Sequence, residues 1–221
     1  MSDIVKQILF DFQHQGAAEI LENAHALNQK MQKRRSLRFF SDEIVPEKVI
    51  DYLIRIAGSA PSGAHKQPWT FCAISDPALK KHIREAAEKE EYENYHGRMS
   101  EEWLKDLEPF ETDWKKPFLE IAPWLIVVFK KSYDLEEGVK KKNYYVNESC
   151  GLACGFLLMA IHQVGLVSLT HTPSPLNFLQ KILKRPENER PFLLIPVGYP
   201  AEKATVPDIK RKDLESIMQK F

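Results

Sequence analysis

Apolar residues recur at helical spacing at Ile20, Ala24, Leu27 and Met31. The otherwise polar residues 1–32 are therefore expected to form an amphipathic helical arm. A sharper stripe follows. Val49, Ile50, Leu53, Ile54 and Ala57 share one face of a helix that Pro46 opens. Gly58 is expected to end it in the left-handed C′ position, and Pro61 forbids continuation. Residues 69–74 read as a strand. Asp76 can cap a second helix with Pro77 at its first position, and this helix runs into a strongly charged stretch over residues 85–103. Leu125 to Phe129 form a continuous apolar run, as expected of a central strand covered on both faces. Residues 143–163 predict a long apolar helix stopped by Gly165. Residues 167–170 and 192–199 predict two more strands, the last with a bulge or an edge at Pro196. Helices and strands alternate, so the expected class is α+β or α/β, a sheet flanked by helices.

Composition narrows the function. The 221 residues suit one large domain, and no repeat, low-complexity tract or linker divides them. Apolar residues at 43% and charged residues at 28% exclude a disordered or collagen-like chain. Lys plus Arg and Asp plus Glu are 31 each, and a net charge of zero argues against a nucleic-acid binder. Cys72, Cys150 and Cys154 lack metal-ligand spacing and read as small buried hydrophobes suited to a reducing compartment. The N-terminus carries Asp3 and Asp11 and no long apolar run. The longest mostly apolar run, residues 150–161, is too short to span a bilayer, which takes about 20 residues. A soluble, cytoplasmic protein without membrane contact is expected. The sequence holds no G-x-G-x-x-G, P-loop, G-x-S-x-G or H-E-x-x-H, and no metal site is expected. Any bound phosphate must be held by arginines.

Four segments offer chemistry. RRSLR brings Arg34, Arg35, Ser36 and Arg38 together, and guanidinium forks match phosphate oxygens. The same five residues would serve equally as a solvated basic face. APSGAHKQPW, residues 60–69, is a turn whose Gly63 and Ala64 allow a planar ligand close approach, or a plain connection. LTHTPSP, residues 169–175, ends a strand in hydroxyls and prolines. VGYP is followed by TVPDIKRK, where Arg211 is a further anion candidate.

Taken in order, these segments resemble the nitroreductase superfamily of FMN enzymes, from about residue 33 onward. RRSLRFFS, GSAPSGAHKQPWTF, PVGYP and ATVPDIKRK are most similar to its iodotyrosine deiodinase family, whereas many other members carry Asn where this chain has His65. The resemblance implies a nitroreductase-like fold over residues 33–221, with a central mixed sheet, in a domain-swapped homodimer holding non-covalent FMN at its interface. It implies that Arg34, Arg35, Ser36, Arg38 and Arg211 bind FMN, largely at the phosphate, that Pro61, Ser62 and Gly63 pack on the flavin, and that Thr172 bonds its N5 with Thr170 and His171 alongside. The backbone N–H of Ala64 would hold a phenolate oxygen.

The family's substrate group is a carboxylate and a tyrosine four residues apart on a lid helix, then a lysine. Here these are Glu91, Tyr95 and Lys116 within a lid at about residues 85–116. Positions i and i+4 share a helix face, so Glu91 can accept from the ammonium of an amino acid, while Lys116 and Tyr95 donate to its carboxylate. Alone, the stretch would read as a solvated charged helix, and Lys115 adjoins Lys116, so only the family's spacing selects the second. Glu88, Glu90 and Glu93 read as surface charges. The implied activity is reductive dehalogenation of halotyrosines, with NAD(P)H or a reductase as electron source. The competing expectation is a general NAD(P)H-dependent nitroreductase or quinone reductase, which does not need the lid group.

Overall fold

The computed structural model describes residues 7–221, so the expectation resting on Asp3 lies outside the described residues. The chain separates into a unit ending at Arg34 and a second, Arg35–Phe221. Among its described residues the first contains one helix, α1 (Ala17–Gln32), preceded by an extended Gly16; Ile20 and Leu27 lie on it as the spacing predicts. Among the described residues no helix is long and apolar enough to cross a membrane.

The second unit runs α2 (Glu47–Gly58), β1 (Trp69–Ile74), α3 (Pro77–Glu93), α4 (Glu101–Leu107), α5 (Phe118–Ile121), β2 (Trp124–Lys131), β3 (Tyr133–Glu136), β4 (Val139–Lys142), α6 (Val146–Gln163), β5 (Val167–Ser168), α7 (Asn177–Ile182) and β6 (Glu189–Gly198). The main sheet has the order β1-β2-β6-β5, and every ladder in it is antiparallel. The sheet expected to be mixed is therefore antiparallel; an isolated parallel bridge between Ser36 and Ser168, outside the named strands, brings Ser36 to its edge.

Alternation along β2 explains the layers. Leu125, Val127 and Phe129 pack with Ile83, Ala87, Leu119 and Leu179 under α3, α5 and α7. Ile126 and Val128 pack with Leu53, Ala57, Leu157 and Ile161 under α2 and α6. All five β2 residues are fully buried, each contributing about 1.5–3 kcal/mol of apolar transfer. At the start of α3, Asp76 Oδ1 accepts from the Leu79 N–H at 2.7 Å, with Pro77 at the first turn as expected.

Several details differ from the sequence expectation. Gly58 is the last residue of α2 and keeps a negative φ; Ser59 follows in the right-handed region, so the helix ends without a left-handed glycine. The long helix begins at Val146 because Tyr145 takes a φ of 48° and Asn143 turns inward, donating Nδ2 to the Lys131 carbonyl at 3.1 Å. β5 holds only Val167 and Ser168. Pro196 pairs regularly with Leu125, and the bulge lies at Phe192, where β2 passes from Val128 to Phe129. The β3–β4 hairpin was not expected. Its turn places Glu137 and Gly138 at positive φ, the geometry of a tight two-residue hairpin.

Candidate active site

The acid, tyrosine and lysine that the resemblance implied come from three successive segments. α3 carries Glu91 and gives way to a wider π turn over Asn94–Arg98 that carries Tyr95. Lys116 arrives just before α5. Its ammonium lies 3.5 Å from Glu91 Oε2, 3.4 Å from Thr112 Oγ1, 5.4 Å from the centre of the Tyr95 ring, and donates to the Asp113 carbonyl. The Tyr95 hydroxyl donates to the Thr112 carbonyl at 3.1 Å. Glu91 and Lys116 are only 6% and 4% exposed, which separates them from an ordinary surface pair. Lys115, by contrast, is exposed, with its ammonium over the Trp114 ring. Burial raises the Glu91 pKa, opposed by Lys116, and lowers that of Lys116, opposed by Glu91. Burial also raises the Tyr95 pKa. Two buried charges 3.5 Å apart are farther from each other than the 2.7–2.9 Å usual for a charge-assisted bond, so the pair itself is loose, and Lys116 is held as well by Asp113 and Thr112.

The arginine segment meets the tail of the chain. Ser36 and Arg38 line a cavity of about 420 Å³ with Thr205, Val206, Pro207, Asp208 and Glu111. Arg35 Nη2 donates to the Pro207 carbonyl. Arg38 stacks on Phe110, its guanidinium 5.5 Å from the ring centre, and burial lowers its pKa. Among the described residues no carboxylate forms an ion pair with Arg38. A second cavity of about 370 Å³ shares Arg38 and reaches Phe118 and Lys115. Arg34 is half-buried at the end of the first unit, and Arg211 is exposed in the tail; neither lines either of these two cavities.

The remaining candidates stand apart from these walls. Ser62 Oγ accepts from the Gln67 N–H at 2.9 Å, and the Gly63 N–H donates to Ser149 Oγ at 3.4 Å. A Cβ on Gly63 would sit 2.8 Å from Tyr145 Cδ2 and 3.1 Å from the Tyr144 carbonyl, so only glycine fits this approach. Ala64 and His65 take φ of 49° and 54°, and Pro61 and Ala64 are exposed. Thr170 and Thr172 are exposed on either side of buried His171, whose backbone bridges Leu194 in β6. The His171 ring packs edge-on against Phe118. Burial, with Lys116 and Arg38 nearby, lowers its pKa to about 3, and its Nε2 has no hydrogen-bond partner.

Cys150 and Cys154 are pushed up to about 12 by burial, so neither is a nucleophile. Among the described residues no cluster could hold a metal ion. The sequence reading missed Glu88, whose Oε1 accepts from the Lys116 N–H at 2.7 Å and from Arg84 Nε at 2.8 Å. The i, i+4 spacing of Arg84 and Glu88 was visible; the third partner, 28 residues further on, was not.

The nitroreductase family model matches residues 31–199. The chain is 65% identical over 201 residues to iodotyrosine deiodinase of Haliscomenobacter hydrossis, covering 90% of each protein. It is 46% identical over 218 residues to human iodotyrosine deiodinase 1, covering 97% of this chain and 75% of the human one. Its fold matches a solved oxidized iodotyrosine deiodinase bound to FMN and 3-iodo-L-tyrosine with a TM-score of 0.75 at 32% identity, over 88% of this chain and all of that one. The conjunction of a buried acid–lysine pair beside a tyrosine with this similarity along almost the whole chain leaves one assignment: the protein belongs to the nitroreductase family, in its iodotyrosine deiodinase branch.

Proposed function

We propose that the protein is an FMN-dependent reductive dehalogenase that converts halogenated tyrosines to tyrosine and halide. The observation that carries this reading is the meeting of buried Glu91 and Lys116 with the half-buried Tyr95. Its donors and acceptor complement an amino acid zwitterion. The substrate carboxylate engages Lys116 and the Tyr95 hydroxyl, and its ammonium engages Glu91. One long ion pair is thereby replaced by two complementary contacts, and both buried charges are compensated. Iodotyrosines, and bromo- or chlorotyrosines by the same contacts, carry this zwitterion; a nitroaromatic or quinone does not.

Two features support FMN as the cofactor. Ser36 and Arg38 line one cavity beside Arg35, and the half-buried Arg38 guanidinium forms no ion pair with the Glu111 or Asp208 that share it, a donor set suited to a phosphomonoester. The turn after Gly63 puts Ala64 and His65 at positive φ, 49° and 54°, with Ala64 exposed, so that main chain faces outward, suited to a flat ring. Arg34 and Arg211 would complete the phosphate site, Pro61, Ser62 and Gly63 would pack on the ring, and Thr170, His171 and Thr172 would lie at its edge. When bound, FMN supplies the two electrons that, with one proton, exchange the carbon–halogen bond for carbon–hydrogen and release halide. The Thr172 hydroxyl would donate to the ring edge and so help to hold and tune it. The Ala64 N–H holds the phenolate that the ortho halogen favours by acidifying the phenol. The lid, residues 85–116, closes over the amino acid and excludes water. NAD(P)H or a partner reductase renews the electrons.

A homodimer completes this site. The turn around Gly63 lines neither of these two cavities, which fits a site that a second copy completes by bringing the turn to the arginine walls. On α6, Cβ atoms at Gly151 and Gly155 would meet nothing within 4 Å, and Leu152 is exposed, so packing within the chain does not use these glycines. They suit close approach of a second helix. The chain then comprises an arm over residues 1–32 and an FMN domain over residues 33–221. Its free cysteines support a cytoplasmic setting. Comparing turnover of 3-iodo-L-tyrosine and a nitroaromatic by the reduced holoenzyme tests the reading. Dehalogenation that saturates with the amino acid supports it, and turnover of the nitroaromatic alone refutes it.

A further inference from the structure

The substrate group depends on where the backbone puts Lys116, and one carboxylate outside that group holds this backbone. Glu88 Oε1 accepts from the Lys116 N–H at 2.7 Å. The same oxygen accepts from Arg84 Nε at 2.8 Å, and Arg84 Nη1 donates to Glu120 Oε2 at 2.9 Å. Arg84 and Glu88 lie on α3 and Glu120 on α5, so the network clasps the two elements on either side of the lid. The Glu88 side chain is 15% exposed, against 33% and 39% for Arg84 and Glu120, so its bond to Lys116 is the sheltered part.

The geometry gives the clasp a purpose. Glu88 and Glu91 are three residues apart on α3, hence on one face. Glu88 grips the main chain of Lys116 while Glu91 faces its ammonium at 3.5 Å. Pro117 follows with φ fixed at −58°, which limits the main chain on the far side of Lys116. A helix-internal pair of Arg84 and Glu88 would stabilise α3 only slightly and would not need Lys116. A carboxylate on a backbone N–H from a different segment instead fixes the register between lid and core.

We propose that Glu88, held by Arg84, is a positioning residue for halotyrosine binding: it sets the Lys116 main chain so that the ammonium meets the amino acid carboxylate. The inference rests on the dehalogenase reading above. Glu88 itself touches no substrate. Substrates with an amino acid backbone need the clasp, whereas a halophenol without that backbone does not.

The test uses FMN-loaded protein and the variants Glu88→Ala, Glu88→Gln and, as a control at an exposed site of the same helix, Glu93→Gln. Hydrogen exchange at the Lys116 amide and steady-state turnover of 3-iodo-L-tyrosine and 2-iodophenol are measured. Glu88→Ala should speed Lys116 exchange more than tenfold and raise KM for 3-iodo-L-tyrosine at least tenfold. Its kcat/KM for 2-iodophenol should stay within twofold. Glu88→Gln keeps an acceptor oxygen but loses its charge, and should raise KM about threefold. Glu93→Gln should match the parent. An unchanged KM, or equal losses on both substrates, overturns the positioning role; equal losses would mark a general structural effect. If the parent enzyme leaves 3-iodo-L-tyrosine intact, the dehalogenase reading fails and the substrate role falls with it. Lys116 exchange would still report separately whether Glu88 holds that backbone.

Discussion

Replacing Lys116 by Met removes the ammonium and keeps most of the aliphatic stem. The side chain is 5% exposed and faces Glu91 at 3.5 Å, so water does not substitute for the lost charge. The substrate carboxylate would forfeit a charge-assisted hydrogen bond, worth about 1.5–3 kcal/mol. That corresponds to a roughly ten- to hundredfold weaker Kd. A second effect acts in the same direction. Glu91, whose pKa burial already raises, loses the cation that opposes the shift, and a protonated Glu91 is a poorer partner for the substrate ammonium. The expected loss is therefore toward the upper end of that range. FMN content should be unchanged, because Lys116 lines neither cavity beside the arginines. Titrating 3-iodo-L-tyrosine into oxidised holoenzyme, and following quenching of flavin fluorescence, gives Kd directly. A Kd within twofold of the parent value, with FMN retained, would refute the assignment of Lys116 to the substrate carboxylate.

Other perturbations probe the rest of the account. His171 has a folded pKa of about 3 against an ordinary 6.5, so the unfolded chain binds the extra proton between those values. Its contribution is therefore present above pH 6.5 and lost as pH falls toward 3. Denaturant unfolding should show about 2 kcal/mol of pH 7-to-5 destabilisation that disappears in His171→Leu; an identical slope in the variant would contradict the buried neutral imidazole. Gly198→Ala should cost about 1–3 kcal/mol, because its Cβ would lie 2.5 Å from the rigid Pro123 ring, and a neutral effect in thermal unfolding would deny that close approach. Gly155→Leu should leave the fold intact, since a Cβ there meets nothing within 4 Å, yet weaken dimerisation more than tenfold by sedimentation. Unaltered association would remove α6 from the interface.

What the sequence revealed follows from which signals are local. The run from Leu125 to Phe129 and the stripe from Val49 to Ala57 were legible because burial imposes a period on neighbouring residues. The Asp76–Pro77 cap was legible because its partner is three residues away. The β3–β4 hairpin escaped, since its strands are solvent-facing and mix charges with single apolar positions such as Leu135 and Val139. The start of α6 escaped because it is set by a buried hydrogen bond of Asn143, not by any capping residue. At the site, Glu91 and Tyr95 could be paired by spacing. Choosing Lys116 over Lys115 from the residues alone was impossible, because only packing buries one and leaves the other exposed over Trp114. Glu88 looked like surface charge for the same reason. Its partner is a backbone N–H, and every residue except proline has one.

The central claim is that the lid group recognises a halogenated amino acid for reduction. Anaerobic titration of FMN-reduced protein with 3-iodo-L-tyrosine tests it most directly, with flavin absorbance and released iodide followed together. The account predicts reoxidation with one iodide and one tyrosine per FMN. Flavin that stays reduced with 3-iodo-L-tyrosine, but is reoxidised by a nitroaromatic, would contradict it.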